Sequence, residues 1–364
     1  MGKPTEAQAE TGLIPFRCEP DEGFIRWLSS SGGSIVLSTY QAGILAFFGW
    51  NGHQVTVLLR RFEKCMGLDV AGDRLALATR RDLMVFGNSR ALAPNFRKGA
   101  RYDALYIPRQ SYHMPELAIH DVGFVGDEIW MVNTRFNCLA SPSDTHTFRP
   151  RWRPPFIKDL GPDDRCHLNG MAVADGAVRY VTAMGTADVA GSWREHKADG
   201  GVVMEVPTGE VVLGGLAMPH SPRLHRGELY VLDSGKGLLL KVDAAAGKAE
   251  TVVSLPGYLR GLSFVGDHAL VGMCQSRETA VFGGMPVQTE HEQLLCGIAI
   301  VDLRSGHETG RLLITSGCTE VYDLRFLAAA PQAMIVNLEQ AENNEAISVP
   351  DCYYWLRPEN EIPD

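Results

Sequence analysis

Several features that would assign a chain to a familiar class are missing from this sequence. No apolar run reaches the roughly 18 residues that a membrane-spanning helix needs. The first residues carry acids where a signal peptide would carry a basic and then an apolar stretch. Basic residues form no run long enough to follow a phosphate backbone, and the formal net charge is −9. These absences predict a cytoplasmic protein that binds neither membranes nor nucleic acid.

Paired cysteines and the common catalytic motifs are also missing. The eight cysteines stand at wide intervals with no CxxC pair, which predicts free, mostly buried thiols and no structural zinc site. The sequence contains no GxGxxG, P-loop, GxSxG or HExxH motif. Nucleotide-dependent and serine-hydrolase functions therefore lack their signatures.

Long amphipathic helices are scarce. Only Glu22 to Leu28 has the spacing of apolar residues that indicates a helix, and one short helix is predicted there. The rest consists of short β-type runs separated by Gly, Asp and Asn, in a chain with 38 glycines and 20 prolines. The sequence predicts an all-β fold.

One pattern occurs six times: a short apolar segment, then glycine or aspartate, then a second apolar segment. The six segments can be aligned on their first residue, and we call that residue the anchor of each segment. The anchors are 54, 49, 51, 40 and 62 residues apart, close to the roughly 40–50 residues of a four-stranded propeller blade. The pattern predicts a β-propeller. The anchors are Met66, His120, Asn169, His220, Arg260 and Tyr322.

The propeller is predicted to close by joining strands from both ends of the chain. The run from Ile35 to Phe48 matches the second and third strands of a blade, and Tyr322 to Leu327 is the donor expected for its innermost strand. Six blades are favoured. Seven is the alternative, because Met334 to Asn337 also resembles a second strand. The predicted division is an arm with a short helix over 1–30, one propeller domain over 31–340 and a tail over 341–364.

Three histidines from consecutive blades fall near one register. His120 and His220 are anchors, and His167 stands two residues before the anchor Asn169. One hypothesis is that the three bind a divalent metal, zinc or iron first and copper or manganese next, with an open position for substrate. The alternative is that each caps a strand or bonds a neighbour. The offset of His167 amounts to roughly 6–7 Å along a strand.

Further polar residues are expected at the same mouth of the channel, where the loops between second and third strands return. Arg260 and Glu320 could act as clamp and base, or form a mutual ion pair. Other candidates could act in catalysis or orient a substrate, or could be solvated loop residues. The catalytic candidates are Arg260, Glu320, Tyr258 and Tyr322, and the substrate-binding candidates are Tyr40, Gln41, Arg135, Asn169, Arg277 and Glu278.

Several segments, among them Ser38 to Gly43, Asp164 to Gly170 and Met218 to Arg223, resemble an uncharacterised bacterial family known as a domain of unknown function. The likeness runs from Leu28 to about Leu327 and implies a family, not a reaction. The architecture is also similar to six-bladed metal-binding propeller enzymes. The peptidyl-hydroxyglycine amidating lyase type implies His120, His167 and His220 as zinc ligands, with Arg260, Tyr258 or Tyr322 as acid, base or clamp. The gluconolactonase type uses carboxylate and amide ligands, which only Glu320 and Asn169 could supply.

Two functions follow from this pattern. The first is a metal-dependent lyase, hydrolase or oxygenase that acts on a small or peptide-borne polar substrate at the channel mouth. The second is a propeller that binds a protein or peptide on the same face without turning it over, through a rim that contains Arg135, Arg277, Trp152 and Trp193. The oligomeric state has no signature in the sequence.

Overall fold

A computed structural model describes residues 15–275, 283–358 and 361–363. Half of the residues lie in strands and 9% in helices. The strands form six blades. The innermost strand of each blade contacts the innermost strands of the two neighbouring blades, which closes a ring. The all-β class and the six-bladed propeller predicted from the repeat are confirmed.

Each blade is a sheet of four antiparallel strands, and two blades carry a fifth strand at the outer edge. Blade 1 contains β2 (Gly33–Ser38), β3 (Ile44–Trp50), β4 (Val55–Arg61) and β25 (Asp323–Ala328); blade 2 contains β5 (Leu68–Ala71), β6 (Arg74–Ala78), β7 (Asp82–Asn88), β8 (Ala104–His113) and β26 (Ala333–Ile335). Blade 3 contains β9 (Ile119–Val125), β10 (Glu128–Asn133), β11 (Cys138–Ser141) and β12 (Arg149–Trp152); blade 4 contains β13 (Leu168–Ala174), β14 (Ala177–Ala183), β15 (Gly201–Glu205) and β16 (Val211–Leu216). Blade 5 contains β17 (Pro219–His225), β18 (Glu228–Asp233), β19 (Leu238–Asp243) and β20 (Lys248–Ser254); blade 6 contains β21 (Tyr258–Val265), β22 (His268–Cys274), β23 (Gly297–Asp302), β24 (His307–Ser316) and β1 (Arg17–Pro20).

The hydrophobic core is divided among the interfaces between neighbouring blades. Successive side chains of a strand point to opposite faces of its sheet. In β2, Ile35 and Leu37 therefore pack towards blade 6, and Val36 between them packs towards blade 2. Both faces of the blade are buried, which explains why its apolar runs show no polar alternation.

The ring closes where β25 pairs with β2. The pairing is antiparallel and places Leu324 opposite Leu37 and Asp323 opposite Ser38. The predicted closure by a strand from the C-terminal part of the chain is confirmed. Residues Met334 to Asn337 do not begin a seventh blade. Met334 and Ile335 belong to β26, which pairs with β8 in parallel as the fifth strand of blade 2.

The helix predicted after residue 20 is present as α1 (Glu22–Ser31). The carboxylate of Asp21 caps it by accepting a hydrogen bond from the Phe24 amide at 2.7 Å, and Gly32 ends it with φ of 68°. Phe24 and Leu28 bury its apolar face against blades 1 and 6. The other helices are shorter, and no helix in the described ranges is long and apolar enough to cross a membrane. They are α2 (Val287–Glu290), α3 (Glu342–Glu345) and the 3-10 turns Ala93–Asn95, Ser192–His196 and Ser234–Lys236.

The residues after β26 pack on the outside of blade 2. They form α3 and a hairpin of β27 (Ala346–Val349) and β28 (Cys352–Trp355). The Trp355 ring lies 6.1 Å from the Phe96 ring, centroid to centroid. The proposed division at residues 30 and 340 stays a prediction.

Glycine occupies every second position of the ring of residues that follow the anchors. In order of blades 1 to 6, the residue after each anchor is Asp323, Gly67, Asp121, Gly170, Ser221 and Gly261. A Cβ atom on Gly67 would lie 2.7 Å from the Asp121 Cα atom of the next blade, and one on Gly261 would lie 2.8 Å from the Leu324 nitrogen. Glycine at these positions allows neighbouring innermost strands to approach each other.

Candidate functional site

Four innermost strands are entered through the same backbone turn. Lys64, Ala118, His167 and Met218 each stand two residues before an anchor and have φ between 47° and 53°. This left-handed conformation is disfavoured for residues with a side chain, so the surrounding structure must hold it. His167 lies just before β13, which begins at Leu168. The turn therefore sets the position of His167, and the offset expected from the rise along a strand does not apply to it.

The structure brings the three candidate metal ligands together. The His120 ring lies 4.8 Å from the His167 ring, nearly edge to face, and 6.4 Å from the His220 ring, nearly parallel, measured between centroids. The His167 ring also packs on Trp193 at 4.3 Å. Blades 3, 4 and 5 thus each contribute one imidazole to a single cluster.

Hydrogen bonds fix the orientation and the tautomer of His120. Its Nδ1 atom lies 3.0 Å from the Ala118 carbonyl oxygen and 2.8 Å from Thr134 Oγ1. The Thr134 hydroxyl donates its own proton to the Leu168 carbonyl at 2.6 Å, so both neighbours of Nδ1 act as acceptors. We assign the proton to Nδ1, which leaves the Nε2 lone pair of His120 available.

Asp164 holds His167 in the same way. The Nδ1 atom of His167 donates to the Asp164 carboxylate, with an Nδ1 to Oδ2 distance of 2.8 Å. Burial opposes ionisation of Asp164, but electrostatic attraction to His167 and this hydrogen bond outweigh burial and lower the pKa of the carboxyl. The carboxylate therefore fixes Nδ1 as protonated and directs Nε2 away from itself.

His220 differs from the other two because Arg260 uses its lone pair. Arg260 Nη2 donates to His220 Nε2 at 3.1 Å. Burial, and then the charge of Arg260, holds the pKa of His220 well below its usual range. Burial, and then His167 and Arg260, lowers the pKa of His120 similarly. His120 and His220 are therefore neutral at pH 7.

Arg260 carries a positive charge that no carboxylate of the described residues balances. Its guanidinium carbon lies 4.6 Å from the centroid of the Tyr322 ring, and its hydrogen bonds go to neutral His220. Among the described residues, no Asp or Glu comes within ion-pair distance of it. The expected ion pair with Glu320 is absent from this part of the chain, and the Glu320 carboxylate accepts instead from the Gln41 amide at 2.9 Å.

Buried polar atoms without a partner surround this cluster. Within the described residues, the Tyr322 hydroxyl, the Asn169 amide nitrogen and the Trp193 indole nitrogen have no hydrogen-bond partner. Their residues are exposed by only 6%, 2% and 3%. Burial raises the pKa of Tyr322, so its hydroxyl stays protonated and available as a donor. Such groups normally have an acceptor, which indicates that part of this site is completed by a ligand or by water.

A cleft gives access to His167. It has a volume of about 330 Å³ and lies between the loops of blades 3 and 4. His167, Asp164 and Thr134 line it, with Arg135 and Glu116. The exposed Arg135 donates to the Glu116 carbonyl at 3.0 Å, so this predicted substrate-binding residue lies at the edge of the cleft.

The remaining predicted site residues are dispersed. Tyr40 packs on Tyr322 with ring centroids 5.7 Å apart, and the Asn169 side-chain oxygen accepts from Thr182 at 2.7 Å. Gln41 is exposed on the rim beside Glu320, whereas Tyr258 is buried in the hydrophobic core between blades 6 and 1. Arg277 and Glu278 lie outside the described residues.

The sequence reasoning missed a second polar layer in the channel. Asp121 accepts from Arg223 at 2.8 Å, and Asp323 accepts from Arg325 at 2.6 Å. Asp69 completes the group by accepting from Arg325 at 3.1 Å. The signal was in the repeat alignment: these five residues stand one or three positions after their anchors. The charged side chains of this layer pair with one another, whereas Arg260 has no carboxylate partner among the described residues.

A three-histidine metal site fits this arrangement only in part. Each ligand would have to present a free nitrogen lone pair, and His120 and His167 present Nε2. His220 Nε2 is taken by Arg260. Within the described ranges, no group of three or more His, Cys, Asp or Glu side chains is arranged to hold a metal ion. The three-histidine site stays a prediction.

The fold and this cluster define a six-bladed β-propeller with an imidazole, guanidinium and phenol site at one mouth of its channel. The chain belongs to the DUF4915 family, a domain of unknown function whose model matches residues 22–336. The family membership expected from the motifs is therefore confirmed.

Comparison with solved structures agrees with the fold. The structure titled as the nidogen/laminin complex is similar with a TM-score of 0.50 and 10% identity, and the match covers 81% of this chain and 98% of that one. A catalytically inactive virginiamycin B lyase from Staphylococcus aureus with quinupristin is similar at a TM-score of 0.39 and 11% identity, covering 82% and 99%. The Pan2 WD40 domain of Neurospora crassa gives 0.38 and 12%, covering 72% and 68%. A comparison with curated proteins found no match. These similarities concern the fold alone.

Proposed function

We propose that this propeller is an enzyme, a lyase or hydrolase that moves a proton on a small or peptide-borne polar substrate at the channel mouth. The observation that carries the proposal is the Asp164–His167 pair, in which Nδ1 is bonded at 2.8 Å to a carboxylate and Nε2 has no partner among the described residues. This pairing is the way enzymes orient an imidazole for proton transfer.

The division of roles follows from charge. His167 lines the cleft and takes a proton from substrate or water at Nε2, and the Asp164 carboxylate stabilises the imidazolium that forms. Arg260 provides positive potential beside the neutral His120 and His220. Negative charge that develops on the substrate is stabilised by this guanidinium, because the partly buried site screens it less than water would.

Turnover by matched variants tests this proposal. Wild type, His167→Ala and Asp164→Asn are compared on a panel of lactones, esters and β-substituted acids, with a pH indicator as the readout. We expect His167→Ala to lower kcat/KM by roughly 10²–10⁴. His146→Ala is the matched control, because His146 is an exposed loop histidine. Turnover that survives His167→Ala contradicts the proposal.

A divalent cation is the second candidate, for a lyase, hydrolase or oxygenase. The favouring observation is that His120 and His167 donate Nδ1–H to a carbonyl and a carboxylate, as metal-binding histidines commonly do. His120, His167 and His220 would hold the ion once Arg260 released His220, and the ion would act as a Lewis acid. About one equivalent of zinc, iron, copper or manganese in protein purified without chelator, lost in all three His→Ala variants, supports it.

Partner binding at the same face is the remaining alternative, and the burial of Trp193 weighs against it. Trp193 is only 3% exposed, and the Trp152 indole donates to the Pro207 carbonyl at 2.9 Å. Neither residue provides the free aromatic anchor that a binding rim would use. The cytoplasmic location inferred from the sequence stays a prediction.

A further inference from the structure

We propose that Arg260 is the binding site for a carboxylate group of the substrate, with the Tyr322 hydroxyl as an additional donor. This inference rests on the proposed function, because it names the substrate class of the same site. It is carried by contacts that the proton-transfer role of His167 does not require.

The first observation is the unbalanced charge of Arg260. A partly buried guanidinium is costly unless an anion or several acceptors satisfy it. Arg223 and Arg325, in the other layer of the channel, each have carboxylates within hydrogen-bond distance. Within the ranges that the structure describes, Arg260 contacts His220 and the Tyr322 ring and no carboxylate. The described residues therefore pair two channel arginines with carboxylates and not the third, which suits an anion from outside.

The second observation is the set of donors that Arg260 still has. Its Nε and Nη2 atoms lie 3.4 and 3.1 Å from His220 Nε2. A guanidinium has five N–H groups, so the Nη1 pair and one Nη2 hydrogen are left over. These hydrogens form the planar fork that matches the two oxygens of a carboxylate.

The third observation is the Tyr322 hydroxyl. Tyr322 is 6% exposed, and its hydroxyl has no acceptor among the residues described. The ring lies against both Arg260 and His120, the latter at a centroid distance of 5.7 Å. A buried hydroxyl beside an unbalanced guanidinium suits an anionic acceptor, and it cannot itself supply the negative charge.

Binding of a simple carboxylate tests the inference without turnover. Ligand-observed NMR measures the dissociation constant of glycolate, with neutral glycolamide as the matched probe. We expect wild type to prefer glycolate, and Arg260→Gln to weaken glycolate binding about tenfold or more. Tyr322→Phe should weaken it about 2- to 10-fold. Arg304→Gln, at an arginine that is 75% exposed, should leave it unchanged.

The outcomes separate this inference from the proposed function. Glycolate binding that Arg260→Gln does not change, or equal binding of glycolamide, overturns the carboxylate site. Binding of sulfate through Arg260 without binding of glycolate also overturns it. Glycolate binding through Arg260, in a protein whose turnover survives His167→Ala, supports this inference and contradicts the proposed base. If circular dichroism shows that Arg260→Gln is unfolded, Arg260→Lys replaces it, because lysine keeps the positive charge but lacks the planar fork of the guanidinium. Equal glycolate binding by wild type and Arg260→Lys then counts against the inference.

Discussion

Arg260 donates a hydrogen bond to His220 across the boundary between blades 5 and 6, with Nη2 3.1 Å from Nε2. The acceptor is a neutral ring, so the bond orients the guanidinium without neutralising it. The same bond removes the His220 lone pair from other uses. One contact therefore determines both where positive charge stands in the channel and which imidazoles are left to react.

Removing the charge of Arg260 is expected to raise the pKa of two histidines. Arg260 contributes to the lowered pKa of His220 and of His120, because its charge repels the imidazolium form. In Arg260→Gln, both pKa values should move back towards the usual range. Long-range ¹H–¹⁵N NMR of the imidazoles between pH 8 and 4.5 measures this, with Arg304→Gln as the control. Unchanged values would show that the charge of Arg260 does not contribute to them.

The stability of the fold is expected to fall in mild acid. The pKa of His220 is lower in the folded chain than in the unfolded one, so the unfolded state binds protons first as the pH drops below about 6.5. The free energy of unfolding therefore decreases below that pH. In His220→Asn this source of proton uptake is gone, and the decrease between pH 7.5 and 5.5 in urea unfolding should be smaller. An identical pH dependence would contradict the assignment.

The second channel layer is expected to be essential for stability. Asp121 accepts from Arg223 and from the amides of Val122 and Met171, each of these at 3.0 Å. Asp121→Asn leaves the half-buried Arg223 and the buried Arg325 without part of their counter-charge, and should cost about 3–5 kcal/mol. Urea unfolding measures it. Asp127→Asn, in an exposed turn, should change stability by less than about 0.5 kcal/mol.

Alanine substitutions at two glycines of β21 and its following turn distinguish the cost of steric contact from the cost of backbone strain. Gly261 and Gly266 both have positive φ, but a Cβ on Gly261 would lie 2.8 Å from the Leu324 nitrogen, whereas one on Gly266 would meet nothing within 4 Å. Gly266→Ala should therefore cost only the backbone strain, about 1 kcal/mol. Gly261→Ala should cost about 1–3 kcal/mol more. Equal losses of unfolding free energy would show that the close approach of β25 is unimportant.

The fold could be predicted because its signals are local. The run around Val36 is apolar on both faces since blades cover both sides of a strand, and the anchors recur at blade length. Met334 to Asn337 was recognised as strand-like, but the parallel pairing of β26 with β8 escaped prediction, because three apolar residues are compatible with any edge. Its partner β8 lies more than 200 residues earlier in the sequence.

The sequence predicted which residues lie close together at the site, but not which of them form hydrogen bonds with each other. The anchor register found His120 and His220, whose rings meet across blade 4. That Arg260 bonds His220 and not Glu320 depends on side-chain directions around the channel, which no repeat encodes. Asp121 and Arg223 stand one and three positions after their anchors and 102 residues apart, so their contact exists only in the closed ring.

The closure of the ring has a consequence for how the protein is made. Asp323 leaves the ribosome 285 residues after Ser38, whose hydroxyl accepts its amide proton. Until then, five blades have emerged and the first still lacks its inner strand. Tyr322, Asp323 and Arg325 all arrive with that strand. During translation, the nascent chain therefore carries the histidines and Arg260 without a finished channel, and the site is completed when β25 docks.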